Sequence, residues 1–176
     1  MQTLLIIDMQ NAWLDEHPRF DIEAIKQRIN LTSKQFRQSG WPVIFVQHED
    51  ENVRVGSKEW DIHQDLIRVD GDHYIHKTAC DAFANTNLKV LLRELGSSSL
   101  TLCGLATEFC VDTTIRASLS QGYDVIALSD AHTTANRPHL TAETIIQHHN
   151  WMWTNIAAPQ HRKIQVISTH DYLKNI

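Results

Sequence analysis

The sequence predicts a three-layer α/β/α fold on a parallel sheet, and three observations carry the prediction. Short apolar runs alternate along the chain with amphipathic helical stretches. Those runs are mostly apolar through their length, as strands covered on both faces are. Several helical stretches also stop at a glycine, at Gly40, Gly96 and Gly122, where the left-handed backbone of a helix end is cheapest.

Taken in order, Thr3-Leu4-Leu5-Ile6-Ile7 is a buried strand ending in the charge of Asp8. A helix follows from about Asp21 to Gln38, with Ile22, Ile25, Ile29 and Phe36 at helical spacing. Val43-Ile44-Phe45-Val46 is strand two. A polar stretch from His48 to His73 then carries a short amphipathic segment around Trp60, Leu66 and Ile67. Tyr74-Ile75-His76 leads into Lys77 as strand three, and Leu88 to Leu95 is helical. Leu100-Thr101-Leu102-Cys103 is strand four. A helix from Glu108 to Gln121 sets Val111, Ile115 and Leu119 on one face, and Val125-Ile126-Ala127-Leu128 is strand five. Thr141 to Ala157 is a long helix, and Ile164-Gln165-Val166-Ile167 is strand six. Strand–helix–strand crossovers of this kind are right-handed.

At 176 residues, with no repeat or linker, residues 1–176 are expected to form a single domain. A chain of that size buries roughly two-thirds of its unfolded surface, enough to stand without a metal or disulfide staple. Hydrophobic residues make up 42% and charged residues 21% of the chain, and the net charge is −5. No basic run suits nucleic acid, and no apolar run approaches the ~20 residues of a membrane span. The apolar run at the N-terminus is too short for a signal segment. Three cysteines, Cys80, Cys103 and Cys110, fit reduced thiols, so a cytoplasmic location is expected.

Open parallel sheets bind ligands outside the carboxyl ends of their strands, which narrows the search to Asp8, Lys77 and the turn from Gly104 to Cys110. Thr107 is a candidate N-cap for the helix after strand four. Cys110 then lies in the first turn, where free N–H groups and the helix dipole favour a thiolate and could receive an oxyanion. A carboxylate such as Asp8 is costly to bury alone, and a base beside a thiol is how a nucleophile is activated. Lys77 could pair with Asp8 and hold the thiolate. Each residue also has a plain alternative: Cys110 as a small core residue, Asp8 as a turn cap, Lys77 as a solvated surface group. Cys103 lies within an apolar strand and reads as core, and Cys80 falls in a loop.

Cofactors are expected to be absent. The turn after strand one, Asp8-Met9-Gln10-Asn11-Ala12-Trp13, lacks the glycines of a phosphate cradle, and there is no P-loop. Eleven histidines raise a metal site, but no His-Glu-x-x-His or paired Cys-x-x-Cys occurs, and no metal is expected. Trp13, Trp60, Phe83 and Phe109, all in or beside strand-end loops, are candidate walls of a small-molecule pocket, with core packing as the alternative. Trp151 and Trp153, with Met152 and Ile156, give the last long helix more apolar surface than one face normally buries, so a homo-oligomer, dimer or tetramer, is expected.

The residues Leu5-Ile6-Ile7-Asp8-Met9-Gln10-Asn11, His76-Lys77 with Asp81-Ala82-Phe83, and Gly104-Leu105-Ala106-Thr107-Glu108-Phe109-Cys110-Val111 resemble the isochorismatase-like cysteine hydrolases. The likeness continues through Ala117, Gly122-Tyr123-Asp124-Val125 and Ser129-Asp130-Ala131-His132-Thr133. It implies a six-stranded sheet in the order 3-2-1-4-5-6 and an Asp–Lys–Cys triad at Asp8, Lys77 and Cys110. It also implies a cis peptide between Leu105 and Ala106, and an oxyanion hole formed by the backbone amides of Ala106 and Cys110. Within the family, nicotinamidases carry a metal-binding Asp-x-His after strand two, where this chain reads His48-Glu49-Asp50-Glu51-Asn52. Isochorismatases proper do not rely on a cysteine. Gly56-Ser57-Lys58-Glu59-Trp60 and Ala131-His132-Thr133-Thr134 are more similar to the nicotinamidase-related, streptothricin-hydrolase-like branch. The expected activity is hydrolysis of an amide or related C–N bond of a small molecule through a thioester. A thiol-based redox sensor and a catalytically silent binding module are the alternatives.

Overall fold

The structure is a computed structural model that describes residues 1–15, 18–159 and 161–176. Its centre is β1 (Gln2–Ile7), buried on both faces after its first residue. Parallel strands flank it, β2 (Val43–His48) on one side and β4 (Ser99–Leu105) on the other. Outside these lie β3 (His73–Lys77), β5 (Asp124–Thr133) and β6 (Ile164–Ile167), giving the order β3-β2-β1-β4-β5-β6 that the resemblance implies. Because side chains alternate along a strand, β1 feeds two cores. Leu5 and Ile7 join Leu88 and Leu92 of α3 (Leu88–Glu94), Ile115 and Leu119 of α4 (Asp112–Ser120) and Trp153 of α5 (Ala142–Asn155). Leu4 and Ile6 face Ile25, Ile29 and Phe36 of α2 (Ile22–Gln38) and Tyr172 of α6 (Thr169–Leu173). Helices thus cover both faces, which is why the inner strands β1, β2 and β4 read as largely apolar runs.

The departures from the sequence reading are local. A single helical turn, α1 (Asn11–Leu14), and α6 are too short to show a period. Ser168 caps α6 by accepting from Asp171 N at 3.1 Å. The segment around Trp60 to Ile67 forms no regular helix or strand. Its Leu66 is buried, while Ile67 is exposed and donates its N–H to the Asn30 side chain. Strand five runs five residues past Leu128, to Thr133, because Ser129 and Asp130 interrupt its apolar pattern but not its course. The register shifts between Leu102 and Gly104, and His132 and Thr133 then pair with Gly104 and Leu105. Among the described residues no helix is long and apolar enough to cross a membrane.

The expected excess of apolar surface on α5 is smaller than the sequence suggests. Trp153 is fully buried and donates its indole N–H to Asp112 Oδ1 at 2.8 Å. Trp151 alone of the pair is exposed, lying near the His148 ring. Two residues apart on a helix, the indoles point about 200° apart, so one reaches the core and the other solvent.

Candidate active site

Three neighbouring strands end at one edge and each delivers a polar residue there. Asp8 directly follows β1, His48 ends β2, and Lys77 ends β3, paired in register with His48. Asp8 leaves the strand in the left-handed region, φ 50, a conformation that Asp tolerates better than most side chains. Its N–H still donates to Val46 O at 2.8 Å. Gln10 locks the loops above this edge. Its Oε1 accepts from His48 N at 2.8 Å, and its Nε2 donates to His48 O and Trp60 O, each at 2.9 Å.

Lys77 Nζ, almost wholly buried, spends its three protons on three partners: Asp8 Oδ2 at 2.8 Å, Cys110 Sγ at 3.3 Å and His48 Nδ1 at 3.3 Å. Burial works to release the lysine proton, but the charge of Asp8 and the neighbouring Cys110 outweigh it, and its pKa is raised. Asp8 is also raised, by burial, against the opposing pull of Lys77 and the Cys110 thiol; a more basic carboxylate is a better proton acceptor. His48 is lowered, by burial and then by the Lys77 charge, so at neutral pH its Nδ1 accepts the lysine proton. Asp8 Oδ1 is buried without a hydrogen-bond partner among the described residues.

Cys110 departs from the sequence reading in one respect. Its thiol is pushed up, by burial first and the Asp8 charge second, with Lys77 opposing. The thiol is therefore protonated at rest, and the helix-start effect expected from the sequence does not prevail. The local backbone gives part of the reason. Residues Thr107–Val111 form a π turn ahead of α4, so Cys110 precedes the α-helix instead of opening it. Thr107 is inside this turn and caps nothing. Its hydroxyl pairs with His132 Nδ1 at 2.8 Å, and His132 Nε2 faces Asn150 Oδ1 at 3.0 Å. Since Asn150 Nδ2 donates to Ser129 O at 2.9 Å, its Oδ1 must accept, which places the His132 proton on Nε2 and makes Nδ1 the acceptor for Thr107.

The π turn also determines which amides are spent. Phe109 N and Val111 N both donate to Ala106 O, at 3.0 and 3.2 Å. In an α-helix the bond to that carbonyl would come from Cys110 N, four residues on; the wider turn passes it to Val111. The Leu105–Ala106 peptide is cis. Just before it, Gly104 sits at φ +114, and a Cβ there would fall 2.7 Å from Ile7 N and closer still to Ile7 O. Only glycine lets β4 come this close to β1 at the turn.

Over these groups opens a cleft of about 270 Å³, walled by Trp13, Leu105, Ala106 and Phe109, with Asp8, His48 and Cys110 also lining it and Cys80, Arg19 and Arg137 around them. Two of the four expected wall residues, Trp13 and Phe109, are therefore on it. Trp60 and Phe83 are not among its lining. Trp60 packs edge-on against His76, and Phe83 stacks on Tyr123 in the core under α3 and α4. Cys103 is buried in β4, its thiol facing Leu5 O. Sequence reasoning missed His48 as a neighbour of Lys77, although it stands at a strand end. It also missed Arg19 and Arg137, which reach the cleft from loops with no pattern to mark them. Among the described residues no group of three or more His, Cys, Asp or Glu side chains could hold a metal ion. Chemically, the arrangement offers a neutral thiol, a buried carboxylate able to take its proton, and a cation already bonded to the sulfur.

The isochorismatase domain family matches residues 2–171. Streptothricin hydrolase from Streptomyces noursei is 29% identical over 147 residues, which is 78% of this chain and 51% of that protein. Ureidoacrylate amidohydrolase from Klebsiella pneumoniae is 27% identical over 140 residues, 73% of this chain and 52% of that protein. The chain thus spans about half the length of these two relatives. A crystal structure of an isochorismatase family protein superimposes with a TM-score of 0.85 at 35% identity, covering 93% of this chain and 97% of that one.

Proposed function

The chain belongs to the isochorismatase family, and from that premise we propose that it is a cysteine hydrolase cleaving an amide or related C–N bond of a small molecule. The observation that carries the reading is the single buried Lys77 ammonium bonded at once to Asp8 Oδ2 and Cys110 Sγ, two residues that line the cleft. The two relatives, streptothricin hydrolase and ureidoacrylate amidohydrolase, support the same class.

In this mechanism Asp8 takes the Cys110 proton as the sulfur attacks the carbonyl carbon. The new C–S bond pushes the carbonyl electrons onto oxygen, and the amides of Ala106 and Cys110 receive that oxyanion. Lys77 stays charged throughout, holding the sulfur and Asp8 in place. As the tetrahedral centre collapses, Asp8 returns its proton to the leaving nitrogen, the C–N bond breaks and a thioester remains. Asp8 next deprotonates a water that attacks the thioester; collapse releases the acid, and Asp8 reprotonates the departing sulfur. Trp13 and Phe109 supply apolar walls.

The test is a panel of small primary and secondary amides, assayed for released ammonia or amine with wild type and Cys110→Ala. Turnover by wild type that is lost in Cys110→Ala is the expected result. Equal turnover by both would overturn the covalent mechanism. Cys80 lines the same cleft as Cys110, which is the one observation favouring the thiol-redox alternative. A Cys80–Cys110 disulfide formed by mild peroxide, with no amide turned over, would select it.

A further inference from the structure

Arg19 and Arg137 put two guanidinium groups on the wall of the cleft that holds Cys110, and among the described residues a single carboxylate, Glu108, pairs with either of them. Arg137 is tied down. Its Nε donates to Glu108 Oε1 at 2.6 Å, one Nη donates to Thr134 Oγ1 at 3.1 Å, and its guanidinium lies 5.1 Å over the Phe109 ring. Among the described residues Arg19 is held by one bond, from Nε to Trp13 O at 2.7 Å. Among the described residues no carboxylate pairs with it, and its two terminal nitrogens have no hydrogen-bond partner. Burial and the like charge of Arg137 both press on its protonation, with Glu108 the opposing charge. Two guanidinium groups sharing one carboxylate, beside apolar rings, make a site that gains from a second anion. A guanidinium with its terminal nitrogens free can grip a planar oxoanion with two parallel bonds.

We propose that the substrate is a small amide that also carries a carboxylate, which Arg19 and Arg137 bind while Cys110 attacks the amide carbon. The proposal rests on the hydrolase reading and names its substrate class. Arg19 supplies the free fork, and Arg137 supplies a fixed positive field. Phe109, adjacent in sequence to the nucleophile, links the two regions, since the Arg137 guanidinium covers its ring. The acid released from the amide would place a second carboxylate over Cys110 and Lys77, so the product is a dianion.

Alkylation of Cys110 by iodoacetate and by iodoacetamide tests this without a known substrate. Both reagents lose iodide to the thiolate; one carries a carboxylate and the other a neutral amide. The ratio of their rates at Cys110 is measured by peptide mass spectrometry in wild type, Arg19→Gln, Arg19→Lys and Glu108→Gln. Losing a charge-assisted bond lowers the ratio by about tenfold in Arg19→Gln, and taking the ratio cancels any change in thiolate reactivity common to both reagents. Arg19→Lys keeps most of the preference. Glu108→Gln, which unmasks Arg137, raises it. An unchanged ratio in Arg19→Gln and Glu108→Gln, with Cys110 still alkylated by both reagents, would overturn the anion site and leave the hydrolase reading standing. A parallel assay of succinamate against the neutral butyramide checks the same preference in turnover: succinamate is favoured in wild type and loses its advantage in Arg19→Gln. Equal use of both amides by wild type would overturn the substrate class.

Discussion

Replacing Asp8 by Asn separates two effects of one carboxylate. Asp8 raises the Cys110 pKa through its charge, while Lys77 lowers it. Asp8 Oδ2 and Cys110 Sγ both bond to Lys77 Nζ, at 2.8 and 3.3 Å, so they are at most about 6 Å apart. At an effective dielectric of about 20, unit charges at that separation interact by about 3 kcal/mol, or about two pH units. Asp8→Asn removes that repulsion and frees Lys77 to pair with the thiolate, so the thiol pKa falls. Near neutral pH the thiolate fraction rises by about a hundredfold, and the lower basicity of the sulfur takes back about tenfold, leaving alkylation about tenfold faster. Amide turnover moves the other way, falling by about 10²–10⁴ because the proton acceptor is gone. The assay is the rate of iodoacetamide labelling at Cys110 across the neutral-to-alkaline range, with Cys80 and Cys103 as internal references. Labelling slowed or unchanged by Asp8→Asn would refute the electrostatic reasoning, because it would mean that the carboxylate does not act on the sulfur.

Other perturbations test the surrounding structure. Lys77→Met leaves the Asp8 carboxylate buried without its cation, so urea unfolding should show a loss of about 3–5 kcal/mol, and Cys110 labelling should slow where Asp8→Asn speeds it. Gly104→Ala forces a Cβ onto the Ile7 backbone at φ +114; a loss of about 4 kcal/mol by the same measurement is expected, with turnover falling in whatever folds. His132 is fully buried, and burial lowers its pKa to about 4 from 6.5. The unfolded chain therefore takes up this proton first as pH falls, and about 3 kcal/mol of stability present above pH 6.5 is lost by about pH 4. His132→Gln should remove that increment from the pH dependence of unfolding, even if the variant is less stable throughout. Trp153→Ala empties the core site under α5 and removes the indole bond to Asp112, which keeps Arg116, at about 3–5 kcal/mol.

What the sequence revealed depended on how each element is encoded. The central strands are buried on both faces, so β1, β2 and β4 stand out as apolar runs, and the strand-end rule leads from β1 and β4 directly to Asp8 and the turn at Cys110, while Lys77 ends the shorter and more polar β3. Strand β5 was legible only to Leu128, because Ser129 and Asp130 break its pattern just before the buried Ala131–His132–Thr133 that support the π turn. The π turn itself has no periodic signature over so few residues; it shows only in which N–H reaches Ala106 O. Pocket walls were the least legible. Trp13, Trp60, Phe83 and Phe109 are alike in composition and loop placement, and only the path of each loop separates those on the cleft from those in the core. Arg19 and Arg137 are ordinary loop arginines until folding brings them to the same wall. The protonated resting state of Cys110 also needed the structure, since it depends on burial and on Asp8, neither of which is visible in a helix-start pattern.

The central claim, that Cys110 carries the substrate's acyl group, is tested most directly by acid-quenching the enzyme during turnover of an amide it hydrolyses and measuring the mass of the Cys110 peptide. The expected result is an acyl adduct on Cys110 that hydroxylamine removes, as a thioester requires, and that fails to form in Cys110→Ala. Multiple-turnover hydrolysis with no adduct at Cys110 at any quench time, and with rates retained in Cys110→Ala, would contradict it.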